Sequence, residues 1–400
     1  MTILAHQICL SPTPAQAQSF CSFAGCHRVV CNFALDSMRS WWAEYERSGR
    51  TIDKPNFPEL KKTFNQLRRE LFPWMNDPKA AHRDCWSQPF ADLKKAYQAW
   101  WKGSAKAPTF KSKRSASSFY VANDKLTFDG KKVRLPKVGW VKMREPLRFE
   151  GKVLSARVRR NAAGRWLLSV QVEGDFARAC TADGRRGIDL GLKHAVVLSE
   201  PLEDGRQVFD PPRPMRKLEK RLKHLQRRVS RRKKGSKRRQ KAVRAVGKLH
   251  VQIRNLRKDW IHKMTTSIVR ESQALGLEDL NIKGMQRTTL ARSVSDVAMG
   301  EIHRQLLYKA ELFGVEVKIW DRWYPSTKRC SSCGEVKREM PLSVRTYVCP
   351  CGLMMDRDLN AARNLVPGAT REPSLKRVRT HEEREVARSM NRESRHGVQV

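Results

Sequence analysis

No apolar run in the 400-residue chain approaches the ~20 residues that cross a bilayer, so no membrane partner is expected. The opening residues, MTILAHQICL, lack a basic n-region and a clear cleavage site, so no signal peptide is expected. The GxxxxGK[ST] loop of P-loop NTPases is missing. No His-x-His or His-hydrophobe-His pair occurs, which disfavours single-strand nucleases of the tyrosine type, and no Ser-His-Asp set stands out. Acidic charge is scarce: 40 Asp and Glu stand against 81 Lys and Arg, a formal charge of +41. A fold with that excess repels itself unless a polyanion is near. Nucleic acid is therefore the leading partner, and an anionic membrane surface the weaker rival. The length allows about two or three domains. The ten cysteines are not spread like a secreted disulfide scaffold. Four of them share one short stretch, which suggests metal in a reducing compartment, and a cytoplasmic, nucleoid-associated location is expected.

Residues 1–10 read as a short strand, punctuated by Pro12 and Pro14. From Gln16 to about Trp101 apolar residues recur at helical spacing, as in Phe20, Phe23, Val30 and Phe33. Trp41, Trp42, Trp74, Trp86, Trp100 and Trp101 fall in this block, where aromatics at helical spacing read first as core and second as base-stacking platforms. Cys21, Cys26 and Cys31 recur every five residues, which is not zinc spacing and reads as buried thiols on a helix. Beyond residue 104 the period changes. Phe119–Val121, Leu126–Phe128, Val133–Leu135 and Leu147–Phe149 read as short strands, and residues 153–158 and 166–172 as a hairpin around Asn161. A small barrel or sheet is expected, joined by the N-terminal strand, with the helical block as an insertion. Residues 187–199 read as a further hairpin.

Residues 215–275 are the most basic, with helical periodicity on both sides of Gly235-Ser236. Nine cations crowd thirteen positions: Arg227, Arg228, Arg231, Arg232, Lys233, Lys234, Lys237, Arg238 and Arg239. Such a run is often only a solvated face, but its density in an already basic chain favours phosphate contact. From Pro367 the composition is polar, charged and nearly free of aromatics, and the tail is expected to be disordered.

Cys330-Ser-Ser-Cys333 followed by Cys349-Pro-Cys351 lets thiolates converge on one zinc ion. The second pair is one residue tighter than CxxC, which leaves Cys349 or Cys351 open to question as a ligand. Four thiolates leave no open position, so the expected role is structural. A second set comprises Asp189 in Gly187-Ile-Asp189-Leu, Glu278 after Leu275-Gly-Leu, and Asp358 in Asp356-Arg-Asp358-Leu-Asn360. A carboxylate in an apolar strand costs several kcal/mol unless it is paired or metal-bound. Three such acids could hold two Mg²⁺ ions for phosphodiester hydrolysis. By spacing alone the set is weak, because turn caps and ion pairs among 40 acids are the plain alternative.

Taken in order, these residues resemble the TnpB family, the OrfB-type proteins of insertion sequences, which is related to the compact type V CRISPR effectors. The likeness runs through Pro12-x-x-x-Gln16, Pro108-Thr-Phe-Lys111, Gly187-Ile-Asp189-Leu-Gly191, Arg254-Asn-x-Arg257 and Glu278-Asp-Leu-Asn-Ile-Lys-Gly284. It continues through Tyr324-Pro-Ser-Thr-Lys328-x-Cys330-x-x-Cys333-Gly334 and Asp356-Arg-Asp358-x-Asn360-Ala-Ala362. The resemblance implies an α/β multidomain fold. A wedge-like β-barrel would comprise 1–10 and 104–180, and a helical recognition lobe 11–103. A RuvC-like nuclease domain of the RNase H type would comprise 181–325 and 353–366, with a basic helical insertion at about 213–263 and a zinc knuckle at 326–352. The remaining 367–400 would form a disordered basic tail.

The resemblance also implies a guide RNA from the transposon end, a target DNA cut beside a short target-adjacent motif, and Asp189, Glu278 and Asp358 as the three catalytic, Mg²⁺-holding acids. Asp356 is the second choice for the third acid. Arg254 and Arg257 join the nine cations as nucleic-acid contacts, and a separate transposase of the same element is a conceivable partner. Two rivals use the same residues: a transposase joining DNA ends directly, and a nuclease-silent RNA-guided DNA-binding regulator. A plain RNA-binding protein would explain the charge but not the acids.

Overall fold

A computed structural model describes residues 2–77, 79–113, 117–341 and 343–368. The chain divides into two compact units: Met1–Phe176 with Leu225–Val251, and Ala177–His224 with Gln252–Val400.

In the first unit, β1 (Thr2–Ser11) runs into α1 (Pro14–Arg47). Thr13 caps that helix reciprocally with Gln16, and Pro14 pre-sets its first turn. Next come α2 (Phe57–Leu71), α3 (Asp84–Trp101) and the strands β2 (Ser118–Ala122), β3 (Thr127–Asp129), β4 (Lys132–Leu135), β5 (Gly139–Met143), β6 (Lys152–Arg160) and β7 (Trp166–Gly174). β1 pairs antiparallel with β7 and β5, so α1–α3 are inserted between two strands of one sheet. The sheet order is β2-β6-β7-β1-β5-β4-β3. Among the described residues its end strands β2 and β3 are not paired with each other. Phe20 and Phe23 of α1 meet Phe119 of β2 at ring-centroid distances of 5.5 and 5.4 Å, which fixes α1 on the sheet.

Three local expectations need correction. Leu147–Phe149 is not a strand, and its apolar side chains pack on the core from a loop. Cys26 and Cys31 are buried as read, but Cys21 lies on the exposed face of α1. Trp41, Trp42 and Trp86 pack on the core, whereas Trp74, Trp100 and Trp101 are exposed. The expected disordered tail lies outside the described residues from 369 onward.

The second unit is built on β8 (Arg185–Asp189), β9 (Val196–Leu198) and β10 (Val208–Phe209), followed by α4 (Pro214–Lys217); the chain then runs through α5 (Glu219–Ser230) and α6 (Lys237–Arg270), of which Leu225–Val251 belongs to the first unit. Gly235, in the left-handed region at φ +87°, and Ser236, whose hydroxyl accepts from Arg239 N, make the turn between α5 and α6. Then come β11 (Ala274–Glu278), α7 (Ile282–Met285), α8 (Ala291–Val297), α9 (Met299–Leu312), β12 (Glu316–Trp320), the small hairpin β13 (Thr346–Val348) and β14 (Met354–Asp356), and α10 (Arg357–Asn364). The main sheet has the order β10-β9-β8-β11-β12, antiparallel on the β10-β9-β8 side and parallel across β8-β11-β12. Its core is Ile188, Val196, Leu198, Leu275 and Leu277 packed with Ile261, Ile268, Ile302 and Leu306 from the helices.

Candidate active site and metal centre

Asp189 ends β8 and Glu278 ends β11, and these strands are parallel neighbours. Their register pairs Gly187 with Gly276. Side chains two apart on a strand share a face, so Asp189 and Glu278 rise from the face that the two glycines leave bare. That bare face is occupied by the end of α10. A Cβ on Gly187 would meet the Ala362 carbonyl oxygen at 1.9 Å, and one on Gly276 would meet that of Leu365 at 1.7 Å. Only glycine lets the helix settle so low. Ala361 and Ala362 are fully buried in the same contact.

The low seat of α10 brings Asp358, in its first turn, toward the two strand acids. The helix is held there by Asn360 and Asn364, one turn apart on one face. Asn360 Nδ2 donates to Arg329 O at 2.7 Å, and Asn364 Nδ2 to Ser326 O at 2.8 Å. Trp320 Nε1, at the end of β12, donates to Leu365 O at 2.8 Å. Asp356 has a different task. It caps α10 and accepts from the backbone N–H of Asp358 and Leu359 at 2.8 and 3.1 Å.

The electrostatics of these acids are unusual for so basic a chain. Among the described residues neither Asp189 nor Glu278 forms an ion pair, Arg357 offsets only part of the rise at Asp189, and Asp358 has Arg345 at 3.9 Å. The Asp189 carboxyl, half-buried, is pushed up to about 8, by desolvation first and then by the negative charge of Glu278 and Asp358. Burial also raises Glu278, against the hydroxyl of Ser326, which donates to its Oε1. The three carboxylates are more loosely spaced than a closed cage. Among the described residues only four cysteines gather their ligand atoms within 4.8 Å of one another. Unpaired hard oxygen ligands of like charge, partly open to solvent, suit Mg²⁺, which takes few protein ligands and keeps its waters.

Those cysteines are Cys330, Cys333, Cys349 and Cys351. Sγ of Cys330 lies 3.7 Å from that of Cys351, and Sγ of Cys333 lies 3.6 Å from that of Cys349. A zinc tetrahedron with bonds of about 2.3 Å has sulfur–sulfur edges of about 3.8 Å, so the donor set fits the ion. The tighter second pair reaches the site because Gly352 N closes a turn on Cys349 O at 3.0 Å, with Gly352 at φ +91°. Among the described residues the apolar cluster around the cysteines comprises Tyr347, Met340 and Leu353, too little apolar surface to hold this region alone.

The nine cations of 227–239 lie at the end of α5, the turn and the start of α6, mostly exposed. Among the described residues none of them pairs with a carboxylate, which leaves them available to phosphate. Arg254 is likewise exposed. Arg257 differs, because its Nη2 donates to the buried Asp296 at 3.1 Å.

Several residues here escape sequence reasoning. The repeated Gly-apolar-acid pattern, Gly187-Ile-Asp189 and Gly276-Leu-Glu278, is a visible signal for one shared surface. Ser326 acts on a distant carboxylate and Asn360 and Asn364 on distant backbone, and none of them carries such a signal. Trp323 follows β12 and is 85 % exposed, held on a turn by Asp321 accepting from its N–H at 2.9 Å.

Three family models match the chain. OrfB_IS605, described as "Probable transposase", covers residues 169–289, and "Cas12f1-like, TNB domain" covers 300–365. A third, described as "Helix-turn-helix domain", covers 1–47, where the structure has β1 and the single long helix α1. A "Putative RNA-guided DNA endonuclease" of Streptomyces pristinaespiralis is 33 % identical over 361 residues, 89 % of this chain and 86 % of the relative. The "Putative RNA-guided DNA endonuclease InsQ" of Escherichia coli (strain K12) is 29 % identical over 386 residues, 90 % of this chain and 91 % of the relative. Among solved structures, the protein chain in "Cryo-EM structure of the Cas12f1-sgRNA-target DNA complex" superposes with a TM-score of 0.55 at 13 % identity, over 91 % of this chain and 84 % of that one, a likeness of fold.

Proposed function

Because the chain belongs to the TnpB family, the OrfB-type proteins of insertion sequences, we propose that it is an RNA-guided DNA endonuclease. The observation that carries this reading is the meeting of Asp189, Glu278 and Asp358 on the face bared by Gly187 and Gly276, where in a chain of charge +41 like charge raises the Asp189 carboxyl more than Arg357 lowers it. The sheet order β10-β9-β8-β11-β12 supports a RuvC-like, RNase H-type nuclease domain. Relatives named for RNA-guided endonuclease activity over nearly the whole length support the guide RNA and the DNA target.

Asp189, Glu278 and Asp358 would hold two Mg²⁺ ions. When bound, these supply Lewis-acid activation of water and neutralise charge at the leaving oxygen. The residues themselves do the rest. Ser326 orients the Glu278 carboxylate through its hydroxyl. Asn360, Asn364 and Trp320 keep α10, and with it Asp358, at a fixed height over the sheet. Asp189, whose carboxyl is pushed up to about 8, would release its proton to water when a cation binds, so cation affinity is expected to rise with pH up to about 8. The zinc knuckle positions Arg329 and Ser331, which bond Asn360. The cations of 227–239 neutralise the backbone of a guide–target hybrid, whose sequence is read by base pairing.

The test is cleavage by the purified protein–RNA complex of DNA matching that RNA, beside a randomised flank that reveals the target-adjacent motif. Mg²⁺-dependent cutting of the match alone supports the reading. The family description "Probable transposase" favours a second reading, direct joining of DNA ends. Strand joining by RNA-free protein would establish it instead.

A further inference from the structure

A cavity of about 500 Å³ opens in the second unit beside the turn that follows Asp189. Lys193, Arg213, Arg216 and Arg292 line it, with Glu219 and Asp296 as the acids. Both acids are already committed. Asp296 accepts from Met215 N, Arg216 N and Arg257 Nη2, each at 3.1 Å. Glu219 pairs with Lys223 and Arg292. Among the described residues Lys193 and Arg216 have no acidic partner, and both are exposed to the cavity's solvent. Arg213 is a non-glycine residue in the left-handed region, φ +44° and ψ +54°. Its guanidinium donates to the carbonyl oxygens of Leu192 and Lys193 at 2.7 and 3.1 Å, clamping the turn that leads out of β8. Strain of this kind persists only where the surroundings enforce it.

The chain itself bounds the distance. Lys193 is four residues past Asp189, so their Cα atoms are at most about 14 Å apart. One short stretch of polynucleotide can therefore touch both. We infer that this cavity is a phosphate subsite, in which Lys193 and Arg216 hold a backbone phosphate of the strand being cut, close to the scissile one, while Arg213 positions the turn. The inference rests on the nuclease reading above and adds to it the residues that set the strand's register. The cavity is large enough for a nucleotide, and its surplus charge is positive once Asp296 and Glu219 are paired internally.

The experiment compares the guide-loaded parent with Lys193→Gln/Arg216→Gln and with Lys131→Gln/Lys132→Gln, a control that removes two exposed charges at the β3–β4 turn. The first arm measures single-turnover cleavage of saturating matched DNA. The cavity variant is expected to cut at least tenfold more slowly, the control at the parental rate, and Arg216→Lys alone to keep most of the activity. The second arm uses metal-free Asp189→Asn complexes and an unpaired ten-nucleotide thymidylate. Here the log–log salt slope of binding is expected to fall by about 0.7 per lost contact in the cavity variant. Thermal melting of each variant checks its folding. A cavity variant that cuts like the parent, or whose slope falls no more than the control's, overturns the inference. A parent that fails to cut matched DNA overturns the nuclease reading instead, and the thymidylate arm still decides the cavity.

Discussion

Asp189 is expected to cost the metal-free protein stability at neutral pH. Its folded carboxyl is raised to about 8, whereas an unfolded aspartate titrates near 3.9. Between those values the native state binds more protons than the unfolded chain, so this group's contribution to stability falls as pH rises. Asp189→Asn should therefore be more stable than the parent by about 1–3 kcal/mol at pH 8 without Mg²⁺, with the gap narrowing toward pH 5. Urea denaturation at the two pH values measures it, and equal stabilities at pH 8 would refute the electrostatic account. Gly276 offers a second test. Gly276→Ala forces a Cβ onto Leu365 O and should cost about 3 kcal/mol and displace Asp358, with cleavage lost alongside. A variant of parental stability and activity would mean that α10 does not sit where the structure has it. At this scale the sequence was informative wherever chemistry conflicts with its setting. Asp189 and Glu278 stand out as charges at the ends of apolar strands. Asp358 does not, because an acid in a first helical turn is ordinary; only its family context singled it out from Asp356. Arg213 and Ser326 were invisible, since a left-handed backbone and a bond to a carboxylate 48 residues away depend on tertiary placement.

Among the elements, the cysteine region depends most on something besides its own packing. One zinc per chain is expected by metal analysis. Its removal by a strong chelator should release the β13–β14 hairpin, seen as lost hydrogen-exchange protection at Tyr347 and Cys349, and Cys351→Ser should lower zinc content to below half. A hairpin that stays protected after complete zinc removal would contradict this. The α5–α6 turn carries a different burden. Lys233→Gln/Lys234→Gln should reduce the salt slope for hybrid binding by about 0.9 per lost phosphate contact, without a change in melting temperature. An unchanged slope would make that run a solvated face only. The helices here were legible from period and from Gly235-Ser236, because capping and apolar spacing are local. β5 was not, since Gly139–Met143 is short and has only Val141 and Met143 facing inward. Leu147–Phe149 misled for the complementary reason: apolar residues can reach a core from a loop.

At the scale of the whole molecule, a charge of +41 is tolerable only with a polyanion bound. The protein is expected to leave the cell with RNA, and stripping that RNA should lower its melting temperature, because self-repulsion destabilises the compact state. The decisive measurement combines identity and chemistry: sequence the co-purifying RNA, then assay cleavage of DNA that matches it, with parent and Asp189→Asn complexes side by side. The account predicts Mg²⁺-dependent cutting of matched DNA by the parent. The variant should bind the same DNA equally well and cut it at least about 1,000-fold more slowly. Cutting by Asp189→Asn at the parental rate, or equal cutting of unmatched DNA, would contradict it.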